Sequence, residues 1–331
     1  SQECFANTKI TSVTIPSTLS SVSMDLDYYY GGPFGGCDSL NNVTFNDKIT
    51  TIHDNLFKEC SGLKTITIPD TITSIGNSAF LSCSNLTEIE IPASVTNIGI
   101  NAFKDCTSLE KLTLNEGLTT LSQECFANTK ITSVTIPSTL SSVNMDLEYY
   151  YGGPFGGCKL LEDITIDEKA TKIPDCLFKN CSSLATIDIP YFVRNIGKSA
   201  FENCTSLKDV TIHNPYCDIN NKNNTISNSA TIHSYTPSTA KNYAQSFERE
   251  FVSLGSFTLG DVNEDGSINS SDASKVLEEY ALIQTGAEPT FTEIQKISAD
   301  VNKDYTIDSS DASKILAYYA DSSTGKTPSW D

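Results

Sequence analysis

Apolar residues recur at a fixed spacing along most of this chain. Phe residues stand 23 positions apart from Phe34 to Phe126, and the same spacing returns from Phe155 to Phe201. Most are followed three residues later by Cys, then by Leu, and then by an Ile-x-Ile-Pro segment. The Ile-x-Ile pair predicts a short strand, because alternate residues of a strand face the same side. No single unit can bury that face alone, so the period predicts a solenoid of stacked units.

A second, longer period lies on top of the first. The segment Ser1 to Cys37 recurs almost unchanged as Ser122 to Cys158. Each copy holds an insert with three adjacent tyrosines before a Gly-Gly turn, which is either a ligand-stacking loop or a cover that packs on the coil. The tyrosines are Tyr28, Tyr29, Tyr30, Tyr149, Tyr150 and Tyr151. Because the chain opens at Ser1 inside a unit, we also expect further residues upstream.

The chain has 11 cysteines, but their placement follows the repeat rather than a disulfide framework. The cysteines that belong to the repeat are Cys37, Cys60, Cys83, Cys106, Cys158, Cys181 and Cys204. Free Cys packs as a small buried hydrophobe, so we expect mostly reduced, buried thiols.

The repeated unit resembles the bacterial leucine-rich repeat family of the surface-antigen type. The resemblance covers residues 1–254 and includes a closing segment at about 230–254, where a Ser-Thr-Ala-x-x-Tyr-Ala helix would cover the last coil. No zinc, nucleotide or nucleophile motif accompanies the three histidines, so we expect no enzyme activity in this chain.

A different pattern follows the solenoid, in which oxygen-bearing side chains alternate at the spacing of a calcium loop. Ca²⁺ is bound by six to eight oxygen ligands, and Gly at loop position 6 permits the sharp turn. The predicted ligands of the first loop are Asp261, Asn263, Asp265, Ser267, Asn269 and Asp272, with Ser267 acting through its carbonyl. Those of the second loop are Asp300, Asn302, Asp304, Thr306, Asp308 and Asp311. We therefore predict two Ca²⁺ ions as cofactors.

The second loop departs from the pattern at one position. Tyr305 stands where the first loop has Gly266, and a residue with a side chain must there adopt positive φ at some cost. The sequence therefore predicts weaker calcium binding in the second loop.

The two loop-helix halves resemble the type I dockerin domain of cellulosomal proteins, and their sequence is most similar to that of ruminococcal dockerins. The resemblance implies that calcium folds the module and that a duplicated helix face binds a cohesin on a scaffoldin. The residues it places on that face are Ser270, Ser271, Ser274, Lys275, Leu277, Ser309, Ser310, Ser313, Lys314 and Leu316. Because the halves nearly match, either could face the partner after a half-turn. Between them, Thr290 and Glu293 have the spacing of a capping box that opens a short helix.

We accordingly predict a β-rich solenoid over residues 1–254, a linker at 255–260, an all-helical dockerin at 261–320 and a tail at 321–331. The expected function is non-catalytic: the dockerin attaches to a secreted cellulose-degrading complex at the bacterial surface, and the solenoid recognises a protein or glycan. The alternative is a targeting fragment of a larger secreted peptidase or glycoside hydrolase with its catalytic domain upstream. The net charge of −19 opposes nucleic acid as a partner. Without an apolar run of about 18 residues, no membrane insertion is expected.

Overall fold

The computed structural model describes residues 4–17, 19, 32–145 and 152–330. The repeated units form stacked coils that carry two rows of parallel strands. The first row comprises β1 Ser12–Ile15, β2 Asn42–Phe45, β5 Glu88–Ile91, β7 Lys111–Leu114, β9 Ser133–Ile136, β11 Asp163–Ile166, β13 Thr186–Ile189, β15 Asp209–Ile212, β17 Thr231–Thr236 and β18 Phe251–Ser256. The second row comprises β3 Thr51–Ile52, β4 Ser74–Ile75, β6 Asn97–Ile98, β8 Thr120–Ser122, β10 Ser142–Asn144, β12 Lys172–Ile173, β14 Asn195–Ile196 and β16 Asp218–Ile219.

The strand register equals the sequence period. In the pair β5 and β7, Glu88 lies opposite Lys111 and Ile89 opposite Leu112. Ile89 and Ile91 are buried while Glu88 and Glu90 are exposed. The predicted inward-facing Ile pair is thus confirmed in this strand, and stacking of successive units forms one continuous apolar core.

Phenylalanine rings form a column through that core. Neighbouring rings from Phe34 to Phe201 stack with centroids 4.9 to 6.3 Å apart. The second residue after each Phe has positive φ, a conformation that favours Gly, Asn and Asp. These residues are Asn7, Gly36, Glu59, Ser82, Asp105, Asn128, Gly157, Asn180 and Asn203. The tight turn after each Phe therefore explains the polar residues found there.

The cysteines of the repeat stand beside the column. Their thiols are buried and free, as predicted from the sequence. Cys83 Sγ donates a hydrogen bond to the carbonyl of Phe57 at 3.1 Å, and Cys106 Sγ repeats this contact with Phe80 at 3.2 Å. Each thiol thus links its own coil to the preceding one.

The last coil is closed by a strand, a helix and a further strand. The predicted covering helix is present as α1, Thr239–Ser246, whose first turn is capped by the side chain of Ser238. Strand β18 then pairs with β17 and runs to Ser256. The strand therefore enters the segment predicted as a linker at 255–260, because backbone pairing continues past the sequence boundary.

Three helices form the C-terminal domain: α2 Ser270–Gln284, α3 Glu293–Ala299 and α4 Ser309–Ser323. Helices α2 and α4 pack around Val262, Val276, Val301 and Ile315. In the described part of the chain, no helix is long and apolar enough to cross a membrane. The tyrosine inserts at 28–30 and 149–151 lie outside the described residues.

The capping box of α3 differs from the sequence prediction. Thr292, not Thr290, caps the helix, and its partner is Gln295 rather than Glu293. The backbone and hydroxyl of Thr290 are instead bound by the carboxylate of Glu279 on α2. A tertiary contact therefore decides where this helix begins.

Candidate calcium and partner-binding site

The first loop is folded around two carboxylates. Asp261 accepts hydrogen bonds from the backbone N–H groups of Asp265 at 3.1 Å and Gly266 at 3.0 Å. Asp272 accepts from the N–H groups of Val262 at 2.9 Å and Asn269 at 3.0 Å. The side chains of loop positions 1 and 12 are thus brought together although they begin and end the segment.

The second loop repeats this arrangement. Asp300 accepts from the N–H groups of Asp304 at 3.1 Å and Tyr305 at 3.0 Å. Asp311 accepts from Asn302 at 3.3 Å and Asp308 at 3.1 Å. The sequence duplication is therefore also a duplication of loop geometry.

The donor chemistry of both loops fits calcium. Asp272 and Asp311 are fully buried, and Asp261 and Asp300 nearly so. Burial, together with the charges of Asp300 and Asp304, raises the pKa of Asp311 to about 6. Crowded carboxylates of this kind are stabilised by a divalent cation, which prefers oxygen ligands.

The oxygen set is mixed rather than purely acidic. Across the described residues, no three His, Cys, Asp or Glu side chains form a metal site by themselves. In the first loop, Asn263, Asp265, Asn269 and the carbonyl of Ser267 would complete the set. In the second loop, Asn302, Asp304, Thr306 and Asp308 would do so. Carbonyl and carboxylate oxygens together are the ligands that Ca²⁺ takes, so the fit is to calcium and not to a Cys/His metal site.

Loop position 6 has left-handed backbone in both copies. Gly266 has φ of 84°, and nothing lies within 4 Å of where a Cβ would stand. Tyr305 has φ of 72° at the equivalent position, as the loop pattern requires. The sequence correctly placed Tyr305 in a conformation that costs a non-Gly residue free energy.

A helix follows each loop, and its first turn uses the same residues as the loop. Asn269 caps α2 and Asp308 caps α4, each in a capping box with the acidic residue at loop position 12. Loop positions 9 and 12 therefore have two structural roles, which restricts what can replace them.

The predicted partner face is exposed on both helices. The serine pairs Ser270–Ser271 and Ser309–Ser310 are exposed. The hydroxyls of Ser271 and Ser310 accept hydrogen bonds from the side-chain amides of Asn263 at 3.3 Å and Asn302 at 2.7 Å. Further along, Ser274 and Ser313 are exposed, whereas Lys275 and Lys314 are partly buried. Leu277 and Leu316 are each 44% exposed, although the neighbouring Val276 and Ile315 are fully buried. An exposed Leu thus occupies the same place on two equivalent helices, within the predicted partner face.

Comparison with known families matches two parts of the chain. The BspA type leucine rich repeat profile matches residues 1–26, 31–151 and 151–265 in six copies. The chain belongs to this family. The type I dockerin domain profile matches residues 259–318, so the leucine-rich repeat solenoid is followed by a small helical dockerin. Dockerin domains bind cohesins and, in type I, calcium. Neither matched domain is catalytic.

Solved bacterial repeat structures are also similar to the chain. A leucine-rich repeat protein of Treponema pallidum is 19% identical, with 57% of this chain and 85% of that chain covered and a TM-score of 0.40. A leucine-rich cell surface protein of Faecalibacterium prausnitzii is 22% identical, with coverages of 71% and 81% and a TM-score of 0.35. A repeat protein of Bacteroides ovatus is 20% identical, with coverages of 74% and 84% and a TM-score of 0.31. Comparison with curated proteins gives no match.

The end of the chain adds a contact that the sequence reading missed. The indole of Trp330 stacks on the ring of Tyr318 of α4 with centroids 4.2 Å apart. The backbone carbonyl of Trp330 accepts a hydrogen bond from the Lys314 ammonium at 2.8 Å. The same indole lies against Gly260, where a Cβ would come within 2.4 Å of it. The segment predicted as a tail therefore packs on the dockerin, and the one Trp of the chain was the signal for it.

Proposed function

We propose that this chain is a non-catalytic component of a secreted cellulosome-type assembly. Its dockerin binds a scaffoldin cohesin in the presence of two calcium ions, and its solenoid presents a surface for recognition of a protein or glycan. The observation that carries the proposal is the duplicated loop-helix unit, with the same Ser-Ser pair and the same exposed Leu in each half. A cellulosome at the bacterial surface is the location that this docking role implies.

The paired serines are the residues we assign to the cohesin contact. Ser270 and Ser271 begin α2, and Ser309 and Ser310 begin α4. These residues are small and exposed, so an acidic side chain there would meet the partner with both bulk and charge. Because the two halves carry the same pair, loss of one leaves the other available.

Binding of the full-length chain to purified type I cohesin modules tests the proposal. The wild type is expected to bind in calcium and to lose binding in EDTA. The double variant Ser270→Asp with Ser271→Asp is expected to bind cohesin, and so is Ser309→Asp with Ser310→Asp. The variant with all four changes is expected to lose binding. A matched control carries Thr205→Asp and Ser206→Asp, two exposed hydroxyl residues of the solenoid, and binds as the wild type does. Full binding by the fourfold variant would reject this face as the contact.

A further inference from the structure

The two calcium loops differ in what surrounds position 6. Around Gly266 in the first loop the space is open. In the second loop the side chain of Tyr305 lies against the solenoid, far from it in sequence. The departure from the loop pattern thus occurs at the copy that faces another domain.

The solenoid surrounds Tyr305 with contacts of three kinds. Asn214, which is fully buried, donates a hydrogen bond from Nδ2 to the Tyr305 hydroxyl at 3.1 Å. The guanidinium of Arg194 lies 4.1 Å from the centre of the Tyr305 ring, a cation–π distance. The ring of Tyr191 meets it edge-on with centroids 5.7 Å apart, and Phe192 lies 6.3 Å away. The solenoid therefore contacts both the hydroxyl and the aromatic ring of Tyr305.

A candidate calcium ligand takes part in the same interface. The Tyr191 hydroxyl donates to Oδ2 of Asp300, the residue at loop position 1, at 3.4 Å. The ammonium of Lys303, at position 4, lies 4.6 Å from the centre of the Tyr216 ring. The dockerin residues that contact the solenoid here thus belong to the second calcium loop itself, whose shape depends on its calcium ligands.

We propose that the turns after β13 and β15 form a receptor for the second calcium loop, so that this loop fixes the dockerin on the solenoid. The inference rests on the calcium part of the proposed function. Asp300, Asp304, Asp308 and Asp311 repel one another in one short segment unless a cation offsets their charge. The loop presents Tyr305 only while it holds its folded shape, and the solenoid contacts offset the cost of its left-handed backbone. Calcium binding at this loop therefore controls the position of the solenoid relative to the dockerin.

Small-angle scattering of the full-length chain in calcium tests the receptor from both sides. Tyr305→Gly restores the usual loop residue and removes the contact, while Phe192→Ala with Arg194→Gln alters only the solenoid side. Both variants are expected to show a larger radius of gyration than the wild type in calcium. Tyr319→Ala removes an exposed tyrosine of α4 and serves as the matched control, with an unchanged radius. The wild type in EDTA is expected to expand as well.

Calcium titration calorimetry on the same proteins separates the two proposals. Expansion of both variants with two calcium ions still bound supports the receptor. If both variants bind calcium and stay as compact as the wild type, the receptor is rejected although the calcium sites stand. Failure of the wild type to bind calcium overturns the proposed function and the inference together. Should Tyr305→Gly fail to fold, the solenoid-side variant alone decides, because its dockerin sequence is unchanged.

Discussion

At the scale of single residues, the repeated cysteines show how one side chain has two tasks. The thiol fills a small space beside the phenylalanine column and also donates to a carbonyl of the preceding coil. Burial raises the pKa of the Cys60, Cys106 and Cys204 thiols to about 12. Only the thiolate is an effective nucleophile, so these residues are expected to be chemically silent in the folded protein.

Thiol titration with a disulfide reagent checks this expectation. In mildly alkaline buffer the seven cysteines of the repeat remain unmodified, while Cys4, which is exposed, and Cys176, which is partly exposed, react. Addition of urea exposes the repeat thiols, because the reagent reaches them only when coils separate. The double variant Cys4→Ser with Cys176→Ser is the control, and it removes the early reaction without altering the late one. Rapid modification of Cys106 in the native protein would contradict the burial of the repeat thiols.

At the scale of elements, each calcium loop and the helix after it form one unit, because loop position 12 also closes the capping box. Loss of a residue that only supports a metal ligand lowers affinity by about 10- to 100-fold. Because Asp272 is itself a predicted ligand, Asp272→Asn is expected to lower the calcium affinity of the first loop by at least this factor. Isothermal titration calorimetry measures this change.

Glu264→Gln removes the same charge from the same loop at an exposed position that the calcium pattern does not use. This control should retain nearly wild-type affinity. Equal losses in both variants would show that net charge, and not the ligand position, governs binding.

The connection between α2 and α3 depends on a single buried carboxylate. Glu279 is 1% exposed and accepts from the N–H and hydroxyl of Thr290 and from the N–H of Phe291. Burial by itself would raise the pKa of Glu279, but these hydrogen bonds outweigh it and lower the pKa below the usual value. Hydrogen bonds to charged groups contribute about 1.5–3 kcal/mol, so Glu279→Gln should reduce the unfolding free energy of the dockerin by about that amount.

The pH dependence follows from the sign of the shift. A carboxyl with a lowered folded pKa contributes stability that is fully present above its unfolded pKa of about 4.3 and is lost as pH falls through the folded value. Urea unfolding at several pH values should therefore show a wild-type advantage over Glu279→Gln that disappears in acid. Glu278→Gln changes the exposed neighbour and should keep the wild-type profile. If the difference in unfolding free energy between the wild type and Glu279→Gln were the same at all pH values, the stabilisation would come from the shape of the side chain and not from its charge.

The sequence predicted the repeated elements well because their contacts recur at the period of the chain. The strand register, the inward Ile pair and the loop duplication all follow from spacing alone. The start of α3 could not be obtained this way, because Glu279 binds the backbone of Thr290 across a turn. The role of Tyr305 was also hidden, since Asn214 and Arg194 are distant in sequence and only the fold brings them to the second loop.

At the scale of the whole molecule, solenoid and dockerin share a small apolar cluster. Tyr235 of β17, Phe257 and Ile297 of α3 are all buried in it. Because β18 runs to Ser256 and Asp261 already belongs to the first loop, very little chain separates the two domains. The cluster and the Tyr305 interface lie on the same side of the junction, since Tyr191 and Tyr216 contact both.

Ile297 offers the clearest test of this shared cluster. Ile297→Ala removes buried atoms from the boundary between the domains and should lower the unfolding free energy of the dockerin by about 2–5 kcal/mol in calcium. The earlier coils, which do not contact α3, should keep their own unfolding transition, because repeats are stabilised mainly by their neighbours. Far-ultraviolet circular dichroism during urea titration follows the helices, and thiol exposure follows the coils.

Ile283→Ala, at a position 41% exposed on α2, is the matched control and should leave both unfolding transitions nearly unchanged. A loss confined to the solenoid signal would mean that Ile297 does not stabilise the dockerin.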